Sequence, residues 1–372
     1  MKLTKFLRDA LVSLAIAAAL FVVLEGATRI FAPQNLRTTY LAGASLGLRD
    51  DVVGHVNQPN VHARVEGPEF SVEYKINEQG FRDRSVYSPQ KPATVTRILL
   101  LGDSFTFGAS NAYDDIWPVQ VEKEMRDAGQ NVELIKAGVP AFDTRTEALY
   151  LERIYDLYRP DIVVFVFLPN DLFTNQPISE GTETGTPDTP PKRDSGVRVA
   201  SGKKSSLHTL TLLKRILMAN DLAFTRLYMM TARRPYFASP PGKMLTEQFR
   251  DTSKLLSRAH RFCQQKGCEF LVLSIPQQFQ VLAEARHVEL EGIDPTRIDT
   301  EFKQFADNEG FRWIPVLDDL AEAYRQGKDL YFRFDGHLNR DGNQAVAATV
   351  TDKFLEILKL RQATRNTGVE LR

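Results

Sequence analysis

The sequence predicts an α/β protein with a doubly wound, mainly parallel sheet flanked by helices in three layers, carrying one insertion and an N-terminal transmembrane helix. Three observations predict it. Short apolar runs end in Gly102-Asp103-Ser104, Ala137-Gly138 and Pro169-Asn170-Asp171; stretches of helical spacing separate those runs; and a basic-flanked apolar segment stands at the N-terminus. A strand of a parallel sheet is covered on both faces, so it reads as continuously apolar and not as an alternation.

At the N-terminus, Lys2, Lys5 and Arg8 precede an apolar run from Ala10 to Leu24, closed by Glu25 and Arg29. A cut after Ala27 would place charged Glu25 three positions ahead of it, against the small-residue rule for signal peptides. An uncleaved anchor over residues 9–31 fits better, because Ile30 and Phe31 extend the run towards the roughly 20 residues a bilayer needs. Residues 1–8 then form a cytoplasmic basic tail, and the rest of the chain lies across the membrane.

Residues 32–94 read as an extension packing on the sheet domain that follows, with Ser71 to Asn77 alternating as a half-buried strand before the turn at Glu78-Gln79-Gly80. The first part of the sheet domain spans 95–173. It holds strands at Ile98–Leu101, Val132–Lys136 and Asp161–Leu168, with helices at Trp117–Ala128 and Thr144–Tyr158. Residues 174–243 form the insertion, in a place where a lid can sit. Thr174 to Ser206, rich in Thr, Ser, Gly and Pro, is expected to be disordered, and Leu207 to Thr231 helical. The second part, 244–360, holds a helix at Leu245–Gln265, a strand at Glu269–Ile275 and a helix near Asp299–Asn308. The last strand is expected at Trp313–Leu317 and a C-terminal helix at Asn343–Leu358, leaving 361–372 as a polar tail.

Lys+Arg and Asp+Glu both total 47, so the cationic excess of a nucleic-acid-binding domain is missing and no nucleic acid partner is predicted. Two cysteines are too few for a disulfide scaffold or a cysteine-rich zinc module. Cys263 and Cys268 are expected as buried thiols, with a small-loop disulfide as the alternative.

Four short segments carry chemistry. Ser104 sits at the tip of a strand, entering a turn before a helix, where a base and an oxyanion site can activate it. Gly138 ends the second strand, and its N–H can face the same oxyanion; the amide of Asn170, at the end of the third, can do likewise. Asp335-Gly336-His337 places an imidazole beside a carboxylate able to fix its tautomer. Each alone has an ordinary reading as a cap or turn; together, at successive strand ends, they have a common purpose. No second set of metal ligands accompanies Asp335 and His337, so neither metal nor cofactor is predicted. Thr106 stands where the α/β-hydrolase elbow G-x-S-x-G has its last Gly, which excludes that fold.

As an ordered set, these motifs resemble the four blocks of the SGNH (GDSL-like) hydrolases, over about residues 95–358. The resemblance implies that Ser104 is the nucleophile, His337 the base and Asp335 its orienting acid. It also implies that Ser104, Gly138 and Asn170 form the oxyanion hole. It implies an acyl-ester hydrolase working through an acyl-enzyme. Tyr74 to Asp83 resembles the segment preceding the first block in exported bacterial members; together with the basic-flanked N-terminal anchor this gives a single-pass protein of the bacterial inner membrane with its catalytic domain in the periplasm or extracytoplasmic space. The expected substrate is then a short-acyl ester, such as an acylated glycan of the cell envelope; the sequence specifies no oligomeric state. Two departures stand out. Leu168 replaces the Gly that usually lies two residues before the third-block Asn, and Gly336 alone separates Asp335 from His337. The close D-x-H form resembles the branch containing exported polysaccharide O-acetyltransferases, making transfer of an acetyl group to a sugar the alternative. A catalytically inactive, membrane-tethered glycan-binding protein is the alternative from another class.

Overall fold

The computed structural model describes residues 2–36, 40–43, 45–175, 207–231 and 233–367. The apolar run lies within helix α1 (Lys2–Phe31), among the described residues the one helix long and apolar enough to cross a membrane. Side chains 5–24 are exposed, so no other described part of the chain covers that surface.

The extension contributes β1 (Tyr40–Gly43), β2 (Gly47–Asp50), β3 (Gly54–Asn57), β4 (His62–Glu66) and β5 (Ser71–Lys75). β1, β4 and β5 form an antiparallel sheet, and β2 pairs with β3. Alternation along β4 and β5 turns Ala63, Val65 and Tyr74 inward, where they pack with Phe107 of the sheet domain.

The sheet domain begins with β6 (Thr96–Gly102), α2 (Ser104–Phe107), α3 (Trp117–Asp127), β7 (Val132–Gly138), α4 (Thr144–Tyr158), β8 (Ile162–Phe167) and α5 (Asp171–Thr174). The helices α6 (His208–Ala219) and α7 (Asp221–Met229) follow, then α8 (Lys243–Lys266), β9 (Glu269–Ser274), α9 (Gln278–Ala285), α10 (Arg297–Glu309), β10 (Arg312–Pro315), α11 (Leu317–Arg325) and α12 (Arg340–Thr367). All five strands from β6 on are parallel, in the order β10-β9-β8-β6-β7. Alternate residues of each strand serve opposite faces. Leu99 and Val163 pack with α4, α8 and α10, whereas Ile98, Leu100 and Val164 pack with α3, α11 and α12. The architecture is the doubly wound three-layer sandwich. Its strand order reverses at β6, flanked by β7 and β8, and the carboxyl end of such a strand is where open α/β sheets place ligands.

Four expectations are corrected. Leu207 to Thr231 is two helices, because Asn220 takes an extended ψ of 117° and its side chain caps Ala223 N at 2.9 Å. The last strand ends at Pro315, and Leu317 opens α11, where Asp318 and Asp319 favour a helix N-terminus. Helices α9 and α11 were not foreseen, and α12 runs into the segment expected as tail. Cys263 and Cys268 are buried free thiols, as expected. The excursion expected at Thr174 to Ser206 lies, from residue 176 on, outside the described residues.

Candidate active site

β6 is buried from Arg97 onward and leaves the sheet at Gly102. Asp103 then caps α2, its carboxylate accepting the Phe105 N–H at 2.8 Å, so the helix starts at once and half-exposed Ser104 is its first residue. Gly138 passes directly beneath this turn. A Cβ there would lie 2.3 Å from Phe107 N and 2.6 Å from Thr106 C, which only glycine avoids. The far end of α2 is held by Arg82 of the extension. Its buried guanidinium donates to the carbonyls of Phe107, Gly108 and Asn111 at 2.9, 2.6 and 2.6 Å. Burial lowers the Arg82 pKa to about 10, against the pull of Tyr74 and Tyr113, and leaves it cationic at neutral pH.

The opposite wall is the turn from Phe332 to His337, closed by Gly336 N–H to Phe332 O and Phe332 N–H to His337 O, both at 2.9 Å. Gly336 has φ 84°, a left-handed conformation that explains how one residue suffices between Asp335 and His337. His337 Nε2 lies 2.8 Å from Ser104 Oγ, and Nδ1 lies 2.6 Å from Asp335 Oδ1. Assigning the Nδ1 proton to the bond with Asp335 leaves Nε2 to accept from the Ser104 hydroxyl. Asp335 also accepts from Ser110 Oγ at 2.8 Å. Burial works to raise the Asp335 pKa, but the His337 and Ser110 hydrogen bonds and the imidazole's charge prevail and lower it.

What fixes this turn comes from far away. Glu69, between β4 and β5, accepts the N–H groups of Arg333 at 2.9 Å, Phe334 at 2.9 Å and Asp335 at 3.1 Å. Three N–H groups converging on one carboxylate lock the peptide plane that precedes the Asp335 side chain. Phe70 packs on Phe332 beside it, with ring centroids 5.7 Å apart.

Asn170 lies between β8 and α5, and its side chain is close enough to Asp103, next to Ser104, to oppose the rise that burial gives that carboxyl's pKa. Leu168 is fully buried in the core on the α3/α12 side, so a large side chain fits where the resembled family usually has Gly. Ala141, in the turn after β7, is exposed with φ 68°, and its N–H has no acceptor among the described residues. Behind the site, Glu147 and Asp171 are both buried. Burial, then the neighbouring carboxylates, raise both their pKa values, and Thr144 Oγ1 donates to Asp171 at 3.1 Å. Among the described residues no group of three or more His, Cys, Asp or Glu side chains is arranged to hold a metal ion.

The structure therefore brings Ser104, His337 and Asp335 into one hydrogen-bonded chain, sets Asn170 close to the neighbouring Asp103 and lays Gly138 under the serine's helix. Sequence reasoning missed Glu69, Arg82, Ser110 and Ala141. Of these, only Arg82 had a local signal, in the Tyr74–Asp83 resemblance; the others sit in ordinary sequence.

No protein-family model and no curated protein matches the chain. Several solved structures do. TesA is similar at 12% identity and TM-score 0.38, covering 68% of this chain and 95% of that one. The acetyl xylan esterase AlAXEase is similar at 14% identity and TM-score 0.42, covering 69% and 98%. A member of the lipolytic protein G-D-S-L family from Veillonella parvula DSM 2008 is similar at 12% identity and TM-score 0.41, covering 70% and 98%.

Proposed function

We propose that the protein is a serine-dependent acyl-ester hydrolase of the SGNH type. The continuous chain Ser104 Oγ–His337 Nε2 and His337 Nδ1–Asp335, at 2.8 and 2.6 Å, is the observation that carries this reading. As the Ser104 oxygen attacks the ester carbonyl, its proton passes to His337 Nε2, and Asp335 stabilises the imidazolium. The oxyanion is received by the N–H groups of Ser104 and Gly138 and by the Asn170 amide, with the Ala141 N–H, which has no acceptor among the described residues, a further candidate donor. The alcohol leaves with the His337 proton, and Ser104 holds the acyl group as an ester. Water then gives a proton to His337 and attacks, releasing the carboxylic acid and restoring Ser104. Ser110 and Glu69 act on Asp335 and its backbone, and so through His337; they are positioning residues.

The proposed setting is the periplasmic side of a bacterial inner membrane, with α1 as the anchor, its basic end in the cytoplasm and short-acyl esters of envelope carbohydrate as substrates. One observation favours a second reading. The tight Asp335-Gly336-His337 turn has the spacing of the O-acetyltransferase branch, so a sugar hydroxyl can replace water in the second step. The deciding experiment treats the protein with a fluorophosphonate and maps the adduct by mass spectrometry, with Ser104→Ala as control. The expected result is one adduct, at Ser104. Labelling elsewhere, or none in folded protein, overturns the reading. Adding glycan acceptors to a reaction with a chromogenic acetyl ester then separates the two fates, since a transferase gives acetylated sugar in place of acetate.

A further inference from the structure

The leucine face of α6 has no partner among the described residues, although the helix is tied firmly at its start. Glu25, near the C-terminal end of α1, accepts the His208 N–H at 2.9 Å and the Thr209 N–H at 2.8 Å, the first free donors of α6. Thr209 Oγ1 meets Thr28 Oγ1 at 3.2 Å, and the Gln34 N–H donates to His208 Nδ1 at 2.8 Å. These contacts explain the carboxylate that closes the apolar run of α1: Glu25 is only 7% exposed because α6 caps it. They also fix the level at which α6 begins, where the apolar run of α1 ends and Glu25, Thr28 and Arg29 begin.

From that level α6 extends for 12 residues, about 18 Å at the usual helical rise, with no buried residue. Leu210, Leu213 and Leu217 recur at three- and four-residue spacing, with Ile216 alongside, and all four are between 40% and 59% exposed. Thr209, which touches α1, belongs to the same arc. The other flank faces the candidate site. Lys214 Nζ lies 5.1 Å and Arg215 Cζ 5.5 Å from the centre of the Phe334 ring, next to Asp335. Asp221, opening α7, pairs with Arg333 at 3.3 Å.

We propose that α6 is an interfacial helix: its Leu210, Leu213, Ile216 and Leu217 face is seated in the lipid surface of the bilayer that α1 enters, while its opposite flank braces the turn carrying Asp335 and His337. The proposal rests on reading α1 as a membrane anchor. Continuity selects lipid as the occupant. An exposed apolar arc that starts beside the polar end of a membrane-length helix, with its cations turned to the protein, has the division of faces that suits the headgroup boundary. It follows that the candidate site is held against the membrane surface.

The test uses the full chain in phosphatidylcholine–phosphatidylglycerol vesicles. An environment-sensitive dye is placed by Ile216→Cys, by Leu14→Cys within α1, or by Asp127→Cys at the far end of the sheet, where the side chain is exposed. The native cysteines are buried, and the unsubstituted chain serves as the labelling blank. Circular dichroism matching the parent qualifies each labelled chain. Lipids carry a nitroxide near the headgroup or deep in the acyl chain, and iodide probes exposure to water. The expected result is loss of most fluorescence at position 216 with the shallow nitroxide, at position 14 with the deep one, and at position 127 with iodide alone. Quenching of the 216 dye by iodide and by neither nitroxide overturns the proposal. So does shielding from all three quenchers, which indicates a second copy of the chain or another protein on this face. The dye at 14 separates the causes. If it is quenched deep while 216 is not, only the α6 proposal fails; if neither nitroxide reaches it, the anchor fails too.

Discussion

Ser104 is held in place by its immediate neighbours in the sequence, whereas Asp335 and His337 are held by residues from the other end of the chain. On the serine side, one strand, one capping carboxylate and one turn of helix lie within residues 96–107, and each is a local consequence of its residue types. On the histidine side, the turn from Phe332 to His337 has only two closing backbone hydrogen bonds of its own. Glu69 supplies the rest from 264 to 266 positions away, and Ser110 from 225. The extension serves both sides through different chemistry: Arg82 donates to carbonyls behind α2, and Glu69 accepts N–H groups ahead of Asp335. A nucleophile's position can be carried by a short motif. The position of its base is a property of how distant segments dock.

The largest effect tests the serine side. Ser104→Ala should lower kcat by about 10⁴-fold or more with unchanged thermal stability, read by ester hydrolysis and a melting curve. On the histidine side, Asp335→Asn should cost about 10²- to 10⁴-fold in kcat, because the amide no longer enforces the Nδ1–H tautomer. Arg82→Met should separate folding from chemistry. It leaves three buried carbonyls short of donors, so ~3 kcal/mol should be lost in urea unfolding, more than any rate effect in the folded fraction explains. Glu69→Gln should behave in the opposite way. Slight misplacement of Asp335 should lower kcat by about 10-fold or more while KM and the melting temperature change little. A large stability loss in this variant, with kcat intact, would show that Glu69 merely glues the extension to the domain.

The smallest effects are the pH dependences, and their signs differ. Asp335 has a lowered pKa, so its contribution to stability is full above the usual carboxylate range and is lost as pH falls through the lowered value. Asp335→Asn should flatten that acid limb in urea melts. Glu147 has a raised pKa, so its folded form is favoured while protonated, and stability falls as pH rises from the usual carboxylate range towards the raised value. Glu147→Gln should therefore stabilise by ~1 kcal/mol or more at about pH 8 and by little at about pH 4. An equal gain at both values would remove the buried-acid explanation.

The sequence by itself determined the parallel strands β6 to β9, the helix from Thr144 to Tyr158 and the turn that starts α2 at Ser104. Apolar runs, helical periodicity and capping residues act within a few positions, so their effects can be read in order along the chain. It also determined which Ser, His and Asp to consider together, through the order of four short motifs. Tertiary structure alone decided the rest. Helix α9 depends on what its segment packs against, which competes with propensity on equal terms, whereas the Asn220 cap and the Asp318-Asp319 start of α11 are local effects. Glu25 reads only as the charge that closes the apolar run until α6 brings two N–H groups to it. Glu69 is an ordinary exposed-type residue in a turn until the chain returns, after more than 260 residues, with three N–H groups for its carboxylate. A hydrogen bond between distant segments leaves no periodicity in either, because its energy depends only on where both ends lie once folded.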